Sequence, residues 1–135
     1  MIVYKRGNDL DLDQVIALYK ASTLGNRRPV DDKERMHLML QHANLVITAW
    51  EDDLLIGISR ALTDFTYATY LSDLAVHVDY QKRGIGRELI RKTKAATDPE
   101  TRLILLAAPA AEKYYPHIGF THHPQAWMLN PGDTI

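Results

Sequence analysis

At 135 residues and 46% hydrophobic content, the chain is the size of one domain with one core, expected to span residues 1–135. Lys plus Arg is 16 and Asp plus Glu is 17, and the resulting formal net charge of -1 argues against a general nucleic-acid binder. Without cysteine, disulfides, cysteine-ligated zinc and a cysteine nucleophile are excluded.

The opening "MIVYKRGNDLDLDQ" lacks the apolar stretch of a secretory signal. No run approaches the roughly 18 apolar residues of a membrane span. A soluble cytoplasmic protein with no membrane partner is expected.

"IVYKR" reads as a short first strand. In "DLDQVIALYKAS", Leu12, Val15, Ile16 and Tyr19 recur at helical spacing, with Asp11 and Gln14 placed as a capping box. "TLGNRRP" breaks this helix, and a second is expected from about Val30. Asp31, Asp32 and Glu34 suit its first turn, and Met36, Met39 and Leu40 form its apolar face. "NLVITAW" and "LLIGISRAL", separated by "EDD", predict a hairpin. "TYATYLSDLAVHV" predicts a further strand whose alternation slips at Ser72 and Asp73, the mark of a β-bulge. A helix follows with Ile85, Leu89 and Ile90 apolar and Glu88 spaced to pair with Lys92. "RLILLAAP" reads as a strand covered on both faces, "AAEKYYPHIGF" as a short helix ending near Pro116, and "THHPQAWML" as a last strand. The element order β-α-α-β-β-β-α-β-α-β predicts an α/β domain. Its sheet is mixed, with an antiparallel half and one parallel crossover.

The chemistry concentrates in "YQKRGIGRELIRK". Gly-X-Gly between strand and helix often serves only as a tight connection. A dinucleotide fingerprint needs a third glycine where Leu89 stands, and it belongs in the first strand–helix–strand unit. A nucleotide-triphosphate loop needs Gly-Lys-Ser/Thr, and residues 86 to 88 are Gly-Arg-Glu. The remaining functional reading is a pyrophosphate held against helix-start amides, with Lys82, Arg83 and Arg87 adding charge.

"LAVHVDYQKRGIGRELI" resembles the central motif of the GNAT superfamily of acyl-CoA-dependent N-acyltransferases, Gln/Arg-X-X-Gly-X-Gly/Ala, through Gln81, Gly84 and Gly86. A preceding Leu-Ala-Val strand is matched by Leu74, Ala75 and Val76, and an aromatic-Tyr-X-X-X-Gly-Phe ending by Tyr114, Tyr115, Gly119 and Phe120. The resemblance implies the GNAT fold, a mixed central sheet with helices on both faces. It also implies acetyl-CoA as cosubstrate, with no metal. The backbone of Leu74, Ala75 and Val76 would take the pantetheine arm, and the segment Gln81, Lys82, Arg83, Gly84, Ile85, Gly86 and Arg87 the pyrophosphate.

The implied chemistry is direct attack of a primary amine of a small molecule on the acetyl thioester, through a tetrahedral intermediate. A backbone N–H near Ala75 or Val76 would serve the oxyanion. Tyr115 is the implied acid. Its phenol, with a pKa of about 10, would donate to a thiolate of about 8.5, uphill by about 2 kcal/mol if transfer were complete. Asp73 is the candidate base, with Tyr70, Ser72, His77 and Asp64 nearby in sequence. The acceptor itself stays open. Arg27 and Arg28 would suit a carboxylate or phosphate, and Phe65, Tyr67 and Trp127 an aromatic slot.

His117, His122 and His123 do not assemble a metal set, because adjacent histidines of a strand face opposite ways and no cysteine is present. A coenzyme A sensor without turnover, or acetylation of a protein or peptide amine, are the alternatives. Tyr115 beside the cofactor motif favours an enzyme. The resemblance also allows an edge-strand homodimer.

Overall fold

The computed structural model describes all 135 residues. Five strands form one sheet in the order β1-β2-β3-β4-β5: β1 Ile2–Arg6, β2 Leu45–Glu51, β3 Leu54–Thr63, β4 Ala68–Val76 and β5 Arg102–Ile104. The first four pair antiparallel, and β5 joins β4 in parallel after the crossover helix α3, Ile85–Ala95. Two helices between β1 and β2, α1 Leu12–Lys20 and α2 Lys33–Gln41, complete the frame with a short α4, Tyr114–His117.

Local chemistry sets the helix starts. Asp11 caps α1 by accepting from the Asp13 N–H at 2.9 Å, but Gln14 does not close the expected box. Its amide donates instead to the Asp53 carbonyl at 3.3 Å, tying α1 to the β2–β3 turn. Helix α2 begins later than Val30, at Lys33, because the Asp32 carboxylate accepts from the Arg35 N–H and fixes the cap there. Helix α4 ends at His117, one residue past Pro116, as expected, but the proline is not what stops it. It lies in the first turn, where its missing N–H leaves no bond unmade.

The strand alternation sorts two cores onto the two faces. Val15, Leu18, Tyr19, Met36 and Leu40 of α1 and α2 pack with Val46, Ile58 and Ala75. On the other face, Ile85, Leu89 and Ile90 of α3 pack with Leu45, Ile47, Ile56 and Leu71. The polarity slip in β4 is a bulge. Arg60 pairs with Asp73 and Ala61 with Leu71, so Ser72 is the extra residue. That insertion sends Leu71 to the α3 face and Asp73 to the α1 face.

Two expectations for the C-terminal part fail. No strand forms over "THHPQAWML": residues 121–135 are all exposed, with Trp127 at 94%. Pro124 lacks the N–H a ladder would need, and the edge strand β5 is only three residues long. Nor is β5 covered on both faces. It is the sheet edge, Arg102 and Ile104 are exposed, and Leu103 packs against the α3-side core. No helix is long and apolar enough to cross a membrane.

Candidate active site

The site begins where β4 parts from β5. Their ladder runs from Ala68↔Arg102 only to Tyr70↔Ile104, so the β5-facing edge of β4 beyond Tyr70 is unpaired. The His77 N–H donates to the Ile56 carbonyl of β3 at 2.8 Å. Because an antiparallel strand turns alternate residues to the same neighbour, Ala75 then also faces β3, while the backbone groups of Leu74 and Val76 face the opening. The Val76 carbonyl takes the Gln81 side-chain amide at 3.1 Å, in agreement with this orientation. Of the three strand residues singled out from sequence, the backbone of Leu74 and Val76 is open and that of Ala75 is in the ladder.

The start of α3 stands across this opening. Lys82 and Gly84 both adopt left-handed backbone, at φ 65 and 79, a geometry natural for glycine and strained for lysine. Gly84 is the N-cap and offers no side-chain bond to the helix. The first ladder bond is from the Glu88 N–H to the Gly84 carbonyl, so the amides of Ile85, Gly86 and Arg87 precede it without intrahelical partners. The Ile85 side chain is buried in the core, and only its backbone is available. A depression of about 320 Å³ at this helix end is lined by Gly84, Arg87, Glu88 and Arg91, with no apolar residue. Arg83 stacks over Tyr80 with its guanidinium carbon 5.0 Å from the ring centroid, and Lys82 is exposed.

Gly86 differs from Gly84. Its backbone is not left-handed, and a Cβ added there would meet nothing closer than the Tyr114 hydroxyl at 3.7 Å, Val76 Cγ2 at 3.8 Å and Leu74 Cδ2 at 3.9 Å. These are ordinary contacts. The fold therefore has room for a side chain at this helical position, where glycine is destabilising by up to about 1 kcal/mol relative to alanine.

Tyr114 and Tyr115 begin α4 with their rings edge to face, centroids 5.3 Å apart. Tyr115 also packs edge-on against Phe120, at 5.3 Å, in the α3-side core. Burial, and secondarily the neighbouring Tyr114, raises the Tyr115 pKa above the ordinary phenol value.

Asp73 is fully buried, and its oxygens are occupied. Oδ2 accepts from the Tyr19 hydroxyl and the Arg60 Nε, each at 2.6 Å, and Oδ1 from the Arg28 Nε at 2.6 Å and the Ser72 hydroxyl at 3.2 Å. Burial pushes the carboxyl pKa up, but Arg60, Tyr19 and Arg28 outweigh it and hold the group below the ordinary carboxylate range. The same burial and the adjacent carboxylate drive the Tyr19 phenol well up. The sequence pattern places Tyr19 on the apolar face of α1 and gives Arg60 no role, although an arginine inside the apolar "LLIGISRAL" opposite a polar slip is the signal of a buried ion pair.

Three of the other candidate bases, Asp64, His77 and Ser72, are engaged too. Asp64 accepts from the N–H groups of Thr66, Tyr67 and Ala68 and closes the β3–β4 turn, which lowers its pKa. His77 Nδ1 accepts from the Asp79 N–H at 3.1 Å, which leaves the neutral ring's proton on Nε2. Ser72 is bound by Asp73 and Arg60, and Tyr70 is 40% exposed on the strand edge. Arg28 is committed to Asp73, the Ser72 carbonyl and the Arg27 carbonyl, whereas Arg27 is exposed. Phe65, Tyr67 and Trp127 form no slot. The first packs on the core, Tyr67 is 64% exposed and Trp127 stands in the extended tail.

Residues 20–127 match the family model described as an acetyltransferase (GNAT) domain. An uncharacterized N-acetyltransferase ycf52-like protein of Prochlorococcus marinus is 28% identical over 139 aligned positions, covering 95% of this chain and 75% of its own. An uncharacterized N-acetyltransferase ycf52 of Gracilaria tenuistipitata var. liui is 34% identical over 73 residues, which are 52% of this chain and 40% of that one. Among solved structures, a GNAT family acetyltransferase from Streptococcus pneumoniae TIGR4 superposes with a TM-score of 0.76 at 23% identity, covering 96% of this chain and 98% of that chain. The aminoglycoside N-acetyltransferase AAC(6')-Iy in complex with CoA gives 0.74 at 19%, covering 96% and 94%. At these identities the superpositions establish the fold, and the family model supplies what they do not. A strand that opens beside a glycine-led helix is therefore set in a chain that belongs to the GNAT acetyltransferase family.

Proposed function

We propose that this protein transfers the acetyl group of acetyl-CoA to a primary amine of a small molecule. The observation that carries the reading is Gly86. It lacks a side chain that its fold would accommodate, beside unpartnered amides and a polar depression lined by Arg87 and by Arg91, the latter paired with Glu88. A helix start so exposed suits the close approach of a diphosphate. In this reading the amides of Ile85, Gly86 and Arg87 take the diphosphate, with Lys82, Arg83 and Arg87 adding charge and Gln81 and Gly84 shaping the turn. The open-side backbone of Leu74 and Val76 takes the pantetheine arm, and Ala75 keeps the strand rigid through β3. When bound, the cofactor supplies an acetyl group activated as a thioester.

The acceptor amine attacks the acetyl carbonyl directly, and the Val76 N–H, facing the opening, is the donor for the developing oxyanion. Collapse of the intermediate would break the carbon–sulfur bond and release the CoA thiolate, toward which Tyr115 would donate its proton. Burial raises its pKa above the ordinary phenol value, so complete transfer is more uphill than for a free phenol. The phenol acts as a hydrogen-bond donor that moves toward transfer as charge develops on the sulfur. Asp73 acts as an anchor instead of a base, since its lowered pKa and occupied oxygens disfavour taking a proton. The amine then loses its proton to water. Two structural neighbours, AAC(6')-Iy and an aminoglycoside acetyltransferase in complex with sisomicin, support the small-molecule amine class.

The test is calorimetric titration with acetyl-CoA, followed by thiol release across amines, polyamines, amino acids and peptides. Binding with turnover of a small amine is expected. Binding with turnover of peptides alone would replace the acceptor class, and no binding would overturn the reading of the α3 start.

A further inference from the structure

Resting on that cofactor reading, we infer that Tyr114 is itself a cofactor-binding residue, its hydroxyl a hydrogen-bond donor to the diphosphate that passes Gly86. The two adjacent tyrosines have different surroundings. Tyr115 is held in the core by Phe120, whereas Tyr114 is 39% exposed. Of the three nearest atoms that other segments bring to the Cβ position of Gly86, the Tyr114 hydroxyl is the closest, at 3.7 Å, and the only polar one. The others are methyl carbons of Val76 and Leu74. This phenol makes no hydrogen bond within the protein, unlike those of Tyr19 and Tyr80, which are bound by Asp73 and Glu51. Its edge-on contact with Tyr115 limits the ring's freedom. An unpartnered donor is thus held over the gap that glycine leaves, next to helix-start amides of the same donor character. An anion lying on those amides is within reach of a fourth donor from α4.

The test compares CoA affinity by calorimetry at fixed salt for the parent protein, Tyr114→Phe, Tyr115→Phe and Gly86→Ala, alone and combined. Phenylalanine keeps the ring packing, so a melting temperature unchanged from the parent separates binding from folding. Loss of one hydrogen bond to a charged group predicts about a tenfold or greater fall in affinity for Tyr114→Phe, and less than twofold for Tyr115→Phe. Tyr114→Phe combined with Gly86→Ala should fall short of the product of the two single effects, because both act on one stretch of ligand. Parent-like or tighter CoA binding by Tyr114→Phe would overturn the inference. Failure of the parent protein to bind CoA would instead overturn the cofactor reading beneath it.

Discussion

Replacing Gly86 with alanine separates what the fold needs from what the ligand needs. The new methyl would stand 3.7 Å or more from the atoms of the facing segments, so no packing is disturbed. Helix propensity then predicts a gain of about 0.5–1 kcal/mol. For 135 residues, with an unfolding entropy of about 2.1 cal/mol/K each, that gain raises the melting temperature by about 2–3.5 °C. The ligand meets the opposite effect. A methyl group beside the amides displaces a bound diphosphate and breaks at least one charge-assisted hydrogen bond, about 1.5–3 kcal/mol, or roughly 10–100-fold in affinity. Thermal melts and CoA calorimetry on the same preparation read both quantities. A stabilised variant with parental CoA affinity would refute the argument that the glycine serves a ligand, and a destabilised one would refute the claim that the fold has room.

Four further outcomes follow from the same geometry. Asp73→Ala leaves the Arg28 and Arg60 guanidiniums without their counter-charge and should lose about 3–5 kcal/mol in denaturant unfolding; a loss under about 1 kcal/mol would remove Asp73 as the anchor. Because the folded Asp73 pKa lies below its unfolded value of about 3.9, its stabilisation is complete above that value and fades as pH falls through the folded one. The parent should therefore lose stability more steeply than Asp73→Ala below about pH 4. With Asp73, Asp64 and His77 Nδ1 all engaged, kcat/KM should climb about tenfold per pH unit below the acceptor's pKa of about 10.4, and a plateau with an apparent pKa between about 6 and 7.5 would expose a protein base. Deleting residues 124–135, all exposed, should leave the melting temperature within about 1 °C, and a larger fall by calorimetry would show that the tail packs.

Periodicity and local chemistry were enough for much of this molecule. The helical spacing of Val15, Ile16 and Tyr19, the hairpin at "EDD" and the slip at Ser72 are contained in a few neighbouring residues each, and α1, the β2–β3 hairpin and the β4 bulge follow. The glycine-led helix start and its basic side chains were legible for the same reason. The last strand was not. An apolar run becomes a strand only if an edge accepts it, and β5 is too short and Pro124 too poor a donor. The role of Asp73 depended on tertiary structure even more. Tyr19, Arg28 and Arg60 lie far from Asp73 in the chain, and only the bulge at Ser72 turns the carboxylate toward α1 to meet them. Sequence set which groups were present and which elements carried them. Tertiary structure decided which were already bound to one another, and a carboxylate with every oxygen satisfied loses the basicity its sequence position suggested.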